Sequence, residues 1–234
     1  MLDSVVLSNH ERVGLVDTPT IKSFKLRGTR ITAAQEAARE RLWGKYGVDF
    51  GSQRINFASL FPGVDKVIVE IGFGMGEASI EIAKQFPDTG FLAVDVHQPG
   101  IGKLLASIEE FGLTNIRVMD EDAHLVLQGM IADQSLEGIH LFFPDPWPKT
   151  RHHKRRIVNE EFIKLIHSKL KPGGTFHVAT DWHPYAEWIK ERFTKSPLFI
   201  GGEVERPDWR PITRFEGQGI RKEHRVTDLI YKNV

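Results

Sequence analysis

The stretch Val67-Ile-Val-Glu70-Ile-Gly72-Phe-Gly74-Met-Gly76 is an apolar run that ends in an acid and then sets a glycine at every second position. A strand of this composition is buried on both faces, as a central strand of a parallel sheet is. The glycines beyond it let the backbone turn tightly and come close to a ligand, where a Cβ would collide. Glu70 has no structural use at the end of a buried strand, so it marks a candidate binding site.

Outward from this stretch the chain alternates strand and helix. Strand 67–71 is followed by helix 76–86, stopped by Pro87, then strand 90–95 and helix 99–111. Strand 115–119, helix 122–132 and strand 138–143 come next. Asn159 caps a helix over 160–170, and Lys171-Pro-Gly-Gly174 is a natural stop before strand 175–180. Helix 184–195 leads to two late strands, 202–205 and 225–231. Repeated β-α units imply a mostly parallel sheet with helices on both faces. Upstream, Thr32 and Gln35 form a T-x-x-Q capping box ahead of a helix over 33–45. Residues 48–64 read as irregular chain, and 1–21 are polar, patternless and expected to be mobile. Residues 1–55 are thus an N-terminal extension with one helix, and 56–234 the main domain.

The 234 residues are enough for one good core. No run approaches the ~20 apolar residues of a membrane span, and the N-terminus lacks the basic and apolar regions of a signal peptide. The expected location is cytoplasmic. With no cysteine, the chain has neither disulfides nor thiolate metal sites, and it lacks the nucleophile needed to methylate a pyrimidine at C5. The 31 basic and 31 acidic side chains cancel, yet they are segregated. Residues 22–30 carry +4, 149–156 carry +5 through Lys149, Arg151, Lys154, Arg155 and Arg156, and 206–225 carry +3. A basic face on an otherwise acidic protein is the footprint of phosphate binding. The loops 144–158 and 206–222 are both long and basic, and loops after strand ends are where ligands sit in such sheets.

The glycines read G-x-G-x-G, not the dinucleotide fingerprint G-x-G-x-x-G. With Glu70 two residues ahead, the pattern resembles motif I of the class I S-adenosylmethionine (SAM) methyltransferases, a Rossmann-like fold with a seven-stranded sheet. SAM carries an ammonium and a sulfonium, which an acid suits and a pyrophosphate site would avoid. Asp95 closes the second strand, placed for both ribose hydroxyls of an adenosine. Among Asp120, Glu121 and Asp122, the resemblance assigns Asp122 to the adenine amino group with the backbone of Ala123, though an acid here also serves as a helix cap. Glu70, Gly72, Gly74, Asp95, Asp122, Ala123 and Asp145 make the cofactor set, with no metal.

The fourth strand runs into Leu141-Phe-Phe-Pro144-Asp145-Pro146-Trp147-Pro148 and then the basic run 149–156. Three prolines within five residues fix the backbone and present Asp145 and Trp147 rigidly. F-F-P-D-P-W-P-K with its basic tail resembles the bacterial tRNA (guanine-N7)-methyltransferase family. Ala179-Thr-Asp181-Trp182 and Thr213-Arg-Phe-Glu216 resemble two further family motifs, and the likeness runs from about residue 24 to the end. Where many members have Glu, this chain has Asp95. The resemblance implies SAM as methyl donor and a guanine in the variable loop of tRNA as substrate. It makes Asp145 the catalytic candidate, Lys149, Asp181, Thr213, Arg214, Phe215 and Glu216 substrate contacts, and Arg151, Lys154, Arg155 and Arg156 RNA contacts. Asp145 or Asp181 is placed to accept guanine N1–H and N2–H2; Trp147 either stacks on an extruded base or packs. The competing readings are a class I enzyme acting on an exocyclic amine, a non-catalytic RNA-binding protein, and a nicotinamide dehydrogenase.

Overall fold

Seven strands form one mixed sheet in the order β3-β2-β1-β4-β5-β7-β6. The computed structural model describes residues 22–24, 30–212 and 225–234. The strands are β1 Lys66–Ile71, β2 Thr89–Asp95, β3 Ile116–Asp120, β4 Leu136–Phe142, β5 Leu170–Thr180, β6 Phe199–Val204 and β7 Thr227–Asn233. The first five pair in parallel, while β7 runs antiparallel to both β5 and β6. The order reverses between β1 and β4, which puts the switch point at the carboxyl ends of these two strands. This is the expected mostly parallel α/β sheet.

Helix α1 (Ala33–Tyr46) starts with the capping box read from the sequence: Gln35 N–H donates to Thr32 Oγ1, and Thr32 N–H donates to Gln35 Oε1. Helices α3 (Glu77–Gln85) and α4 (Gln98–Glu110) pack with α1 on one face, around Phe91, Ala93, Ile116 and Val118. Helices α5 (Ala123–Gly129), α6 (Glu160–Lys169) and α7 (His183–Thr194) cover the other, around Val67, Val69, Ile139, Phe176 and Leu229. The chain after α1 is tied to the sheet by Val48 N–H to Val118 O (2.9 Å) and Ile55 N–H to Met130 O (2.8 Å).

Four expectations need correction. The irregular stretch 48–64 contains a one-turn helix, α2 (Phe57–Leu60), because the Asn56 side chain caps it by accepting from Ser59 N–H. Helix α5 ends at Gly129, not at 132, and Met130 N–H closes its last turn on Val126 O. Lys171-Pro-Gly-Gly174 does not precede the fifth strand but lies inside it as a bulge. Leu136 pairs with Leu170 and Gly138 with Thr175, so the extra residues of β5 must loop out. Gly173, at φ +80°, makes that possible. The loop 144–158 folds back as a 3-10 helix, Thr150–Arg155. The readings of 1–21 and 213–216 lie outside the described residues.

The polar strand residues share one sheet face. Glu70 pairs in register with His140, and His140 with His177. Where no helix covers β4, β5 and β7, Trp209 and Arg210 do. Trp209 stacks on His140 with ring centroids 5.1 Å apart, and its carbonyl accepts from Gln85 of α3. Arg210 is fully buried and makes a bidentate pair with Asp228 at 2.6 and 2.8 Å. His177 Nε2 lies 2.7 Å from the same carboxylate. Burial pushes the Asp228 carboxyl up, but His177 and Arg210 outweigh it and leave it below its ordinary value. Burial also holds His177 neutral, so its Nε2–H donates. Replacing Asp228 with Ala strands a buried guanidinium and should destabilise the fold by about 3–5 kcal/mol in urea titration. Replacing Glu109, the exposed partner of Arg41, should leave the midpoint unchanged.

Candidate active site at the switch point

Gly72, Gly74 and Gly76 adopt φ of +73°, +60° and +79°, a left-handed run closed to side chains with a Cβ. A Cβ on Gly76 would sit 2.7 Å from Leu104, so this glycine lets α4 pack against the turn. A Cβ on Gly72 would meet nothing within 4 Å. Its side of the turn is open, as a ligand cradle must be.

Glu70 lies beneath this turn, 4% exposed. Burial drives its carboxyl up to about 7; the neighbouring Ser79 hydroxyl pulls it down, and the charge of Asp95 raises it further. Ser79 Oγ makes no hydrogen bond of regular geometry among the described residues, so its help is weak. A carboxylate held this dry is complementary to a cation. Asp95 is half-buried at the end of β2. It accepts from Gly74 N–H (2.8 Å), Val96 N–H (2.7 Å) and His97 N–H (3.0 Å), which couples it to the glycine turn. Burial raises its carboxyl, and those three amides partly offset the rise. Glu70, Gly72, Gly74 and Asp95 therefore form one constellation.

At the end of β3 the three acids differ. Asp120 is occupied, taking Arg39 Nη2 and Gln98 Nε2, each at 2.6 Å, and Arg39 also bonds Gln98. Glu121 accepts from Asp122 N–H. Asp122 is the N-cap of α5, accepting from His124 N–H at 2.9 Å through one oxygen. Ala123 begins that helix, where amides have no intrahelical partner. Asp120 is thus committed to the protein, while Asp122 caps α5 immediately ahead of Ala123. Neither Arg39 nor Gln98 was singled out from the sequence; an arginine on a buried helix face was the available signal.

Asp145 follows β4 in a loop pinned at several points. Phe143 and Trp147, on either side of it, hold φ of +53° and +44°, which non-glycine residues rarely adopt. Such strain persists only where surrounding contacts impose it. Phe143 N–H donates to Ala179 O (2.8 Å), Trp147 Nε1–H to Ser23 O (2.9 Å), and Arg156 Nε–H to Pro146 O (2.9 Å). Trp147 also carries the Arg155 guanidinium over its ring at 4.9 Å. These contacts hold the Trp147 ring in place while it stays partly exposed.

Asp181 emerges beside this loop, since Phe142 and Ala179 pair on neighbouring strands. It lines a cavity of about 450 Å³ with Trp182, His183, Pro184, Glu203, Arg225 and Thr227. A second cavity, of about 480 Å³, is lined by Pro148, His153, Arg156, Trp182, Pro184, Glu187, Trp188 and Glu191. Neither touches the glycine turn. In the basic run Lys149, Arg151 and Lys154 are exposed, Arg155 is half-buried and Arg156 is 3% exposed. Thr213, Arg214, Phe215 and Glu216 fall outside the described residues. Among the described residues, no cluster of His, Asp and Glu is arranged to hold a metal ion, and no helix is long and apolar enough to cross a membrane.

A family model described as "Putative methyltransferase" matches residues 64–229. The tRNA (guanine-N(7)-)-methyltransferase of Streptomyces avermitilis is 49% identical over 219 residues, covering 92% of this chain and 76% of the relative. The protein of the same name from Nitrosospira multiformis is 47% identical over 215 residues, covering 91% and 94%. Among solved structures, the 16S rRNA methyltransferase KamB superposes with a TM-score of 0.57 at 17% identity, over 76% of this chain and 92% of its own. TrmN from Thermus thermophilus superposes with a TM-score of 0.52 at 15% identity, over 86% and 48%. At such identities the structural likeness shows the fold alone. A Rossmann-like sheet, an acid-and-glycine turn at its switch point and relatives this close together establish that the chain belongs to the tRNA (guanine-N(7)-)-methyltransferase family.

Proposed function

We propose that this protein transfers the methyl group of SAM to N7 of a variable-loop guanine in tRNA, in the cytoplasm. The observation that carries the reading is that Asp145 and Asp181 follow the ends of the paired strands β4 and β5, with β4 also paired to the strand that leads into the glycine turn and a basic 3-10 helix just beyond Asp145. Glu70 would take the amino group of SAM, Asp95 the ribose hydroxyls, and Asp122 with the Ala123 amide the adenine. Lys149, Asp181 and the segment Thr213–Glu216 would face the guanine, with the basic run along the phosphates.

Guanine N7 has an in-plane lone pair at neutral pH and no proton to lose, so no strong base or covalent nucleophile is needed. The protein has to align N7 with the sulfonium methyl, which is a positioning effect. It must also stabilise the cationic 7-methylguanine as it forms, which a fixed carboxylate does. Asp145 has that role here. Incubation with labelled SAM and unmodified bulk tRNA, followed by nucleoside analysis and borohydride–aniline cleavage, tests the reading. Label in 7-methylguanosine at the variable loop supports it; label on an exocyclic amine overturns it.

Two further outcomes follow from the site. Asp145→Asn keeps the shape and removes the charge, so the single-turnover rate should fall by roughly 10²–10³. No new pH optimum should appear, since no proton is abstracted. A rate within about twofold of wild type would move the role to Asp181.

Glu70 predicts a pH dependence. Its folded-state value lies above the unfolded one, so its contribution to stability is complete below the ordinary glutamate range and is lost as pH rises through about 7. Glu70→Gln should remove that loss and stabilise the ligand-free protein at pH 8 by about 3 kcal/mol at most. The ammonium of SAM needs the ionised carboxylate, so wild-type affinity should rise about tenfold per pH unit below 7. The Gln variant should bind weakly, without that slope. Calorimetry across pH reads both effects, and a flat wild-type profile would remove Glu70 from the ammonium site.

A further inference from the structure

The basic run 149–156 looks uniform as sequence, yet its members do different things in space. Lys149, Arg151 and Lys154 point to solvent. Arg156 is 3% exposed, and its guanidinium lies 5.0 Å from the Tyr185 ring and 4.6 Å from the Trp188 ring, both on α7. A planar, weakly hydrated cation is suited to such an aromatic cleft. Its Nε–H donates to Pro146 O at 2.9 Å, one residue beyond Asp145. The aromatic walls are fixed in turn: Trp188 Nε1–H donates to Val158 O at 3.1 Å, and Tyr185 Oη accepts from Val158 N–H at 3.4 Å. Arg156 also borders the cavity of about 480 Å³, but only 3% of its surface is exposed and its Nε–H is taken by the Pro146 carbonyl.

Resting on the methyltransferase reading above, we propose that Arg156 is a positioning residue for the Asp145 loop and that phosphate contact in this run is left to its exposed members Arg151 and Lys154. The proline-rich loop has few backbone N–H groups with which to anchor itself, because prolines 144, 146 and 148 have none. Its carbonyls must therefore be held by donors from elsewhere. Arg156 supplies one, braced against α7, and so transmits the position of that helix to Asp145. Arg155, stacked over Trp147, braces the far side of the same loop.

The test separates loop position from RNA affinity, using Arg156→Gln and Arg156→Lys in the full chain with Arg151→Ala/Lys154→Ala as the contrast. Both Arg156 variants should bind tRNA with the wild-type salt slope and bind SAM normally. Their single-turnover rates at saturating tRNA should fall tenfold or more, since an error of about 1 Å at a reacting group can cost about 10²-fold. Lysine should not rescue the rate, because it keeps the charge but loses both the planar stack and the Nε donor. The contrast variant should do the reverse: a salt slope lower by about 0.7–0.9 per contact, with amide exchange over residues 143–149 unchanged. Amide exchange over residues 143–149 should quicken in the Arg156 variants, a readout that stands whatever the methylated atom proves to be. The proposal is overturned if Arg156→Gln shows a shallower slope with wild-type rate and exchange, or if both variants lose SAM binding and melting temperature together. Failure of the functional reading shows separately, in a wild-type enzyme that makes no 7-methylguanosine.

Discussion

Charge on one face of an otherwise apolar sheet is the constraint on which the rest of this structure depends. Glu70, Asp95, Asp120, His140, His177 and Asp228 share that face by strand register. Each would be expensive to bury alone, and each is handled differently. Asp228 is paired twice; Asp120 is paired with Arg39; His140 is simply kept neutral, its value pushed down to about 3 by burial and by His177. Asp95 is solvated by backbone amides in place of water. Among the described residues, Glu70 is the buried carboxylate of this set with neither a cation nor a backbone amide against it. The same physics that settles Asp120 and Asp228 within the fold leaves Glu70 with a desolvation cost that a bound cation would offset, as the proposed function requires.

The proline-rich loop after β4 applies a related economy to the backbone. Holding Phe143 and Trp147 at positive φ costs of order 1–3 kcal/mol each. Against that stand hydrogen bonds from Phe143 to β5, from Trp147 to Ser23 and from Arg156 to Pro146. Three separate parts of the chain thus converge on five residues. The strain is tolerated because the loop is over-determined, and the backbone on either side of Asp145 is fixed as a result.

What was legible in the sequence was what is local. The glycine turn, the α1 capping box, the alternation of strand and helix and the proline loop each follow from neighbours within a few residues. What was not legible depended on distant partners. Nothing near Asp120 announces that Arg39 and Gln98 will occupy it, and nothing in the triplet Asp120-Glu-Asp122 says which acid caps α5. Lys171-Pro-Gly-Gly174 has the composition of a helix stop and does end α6. Its second role, as a bulge paired across to β4, is set by the register of β4 and β5. His177 and Asp228 carried a usable signal, since polar residues in the middle of buried strands must find each other.

The charge count illustrates the same divide and changes how the basic face is understood. Read as sequence, 149–156 carries +5 and 206–225 carries +3. In space, Arg210 is neutralised by Asp228 and serves the fold, while Arg155 and Arg156 are turned inward onto the proline loop and α7. Cations still contribute to the field of the protein when buried, so they help draw a polyanion in from a distance. Under the proposal above, Arg156 would release no counterion, because it would not touch a phosphate. A basic run can therefore look denser than its contact footprint, with attraction set by all of its members and contact by only the exposed ones. Arg156 does what an exposed lysine cannot, which is to hold the Pro146 carbonyl from between two aromatic rings, next in sequence to Asp145.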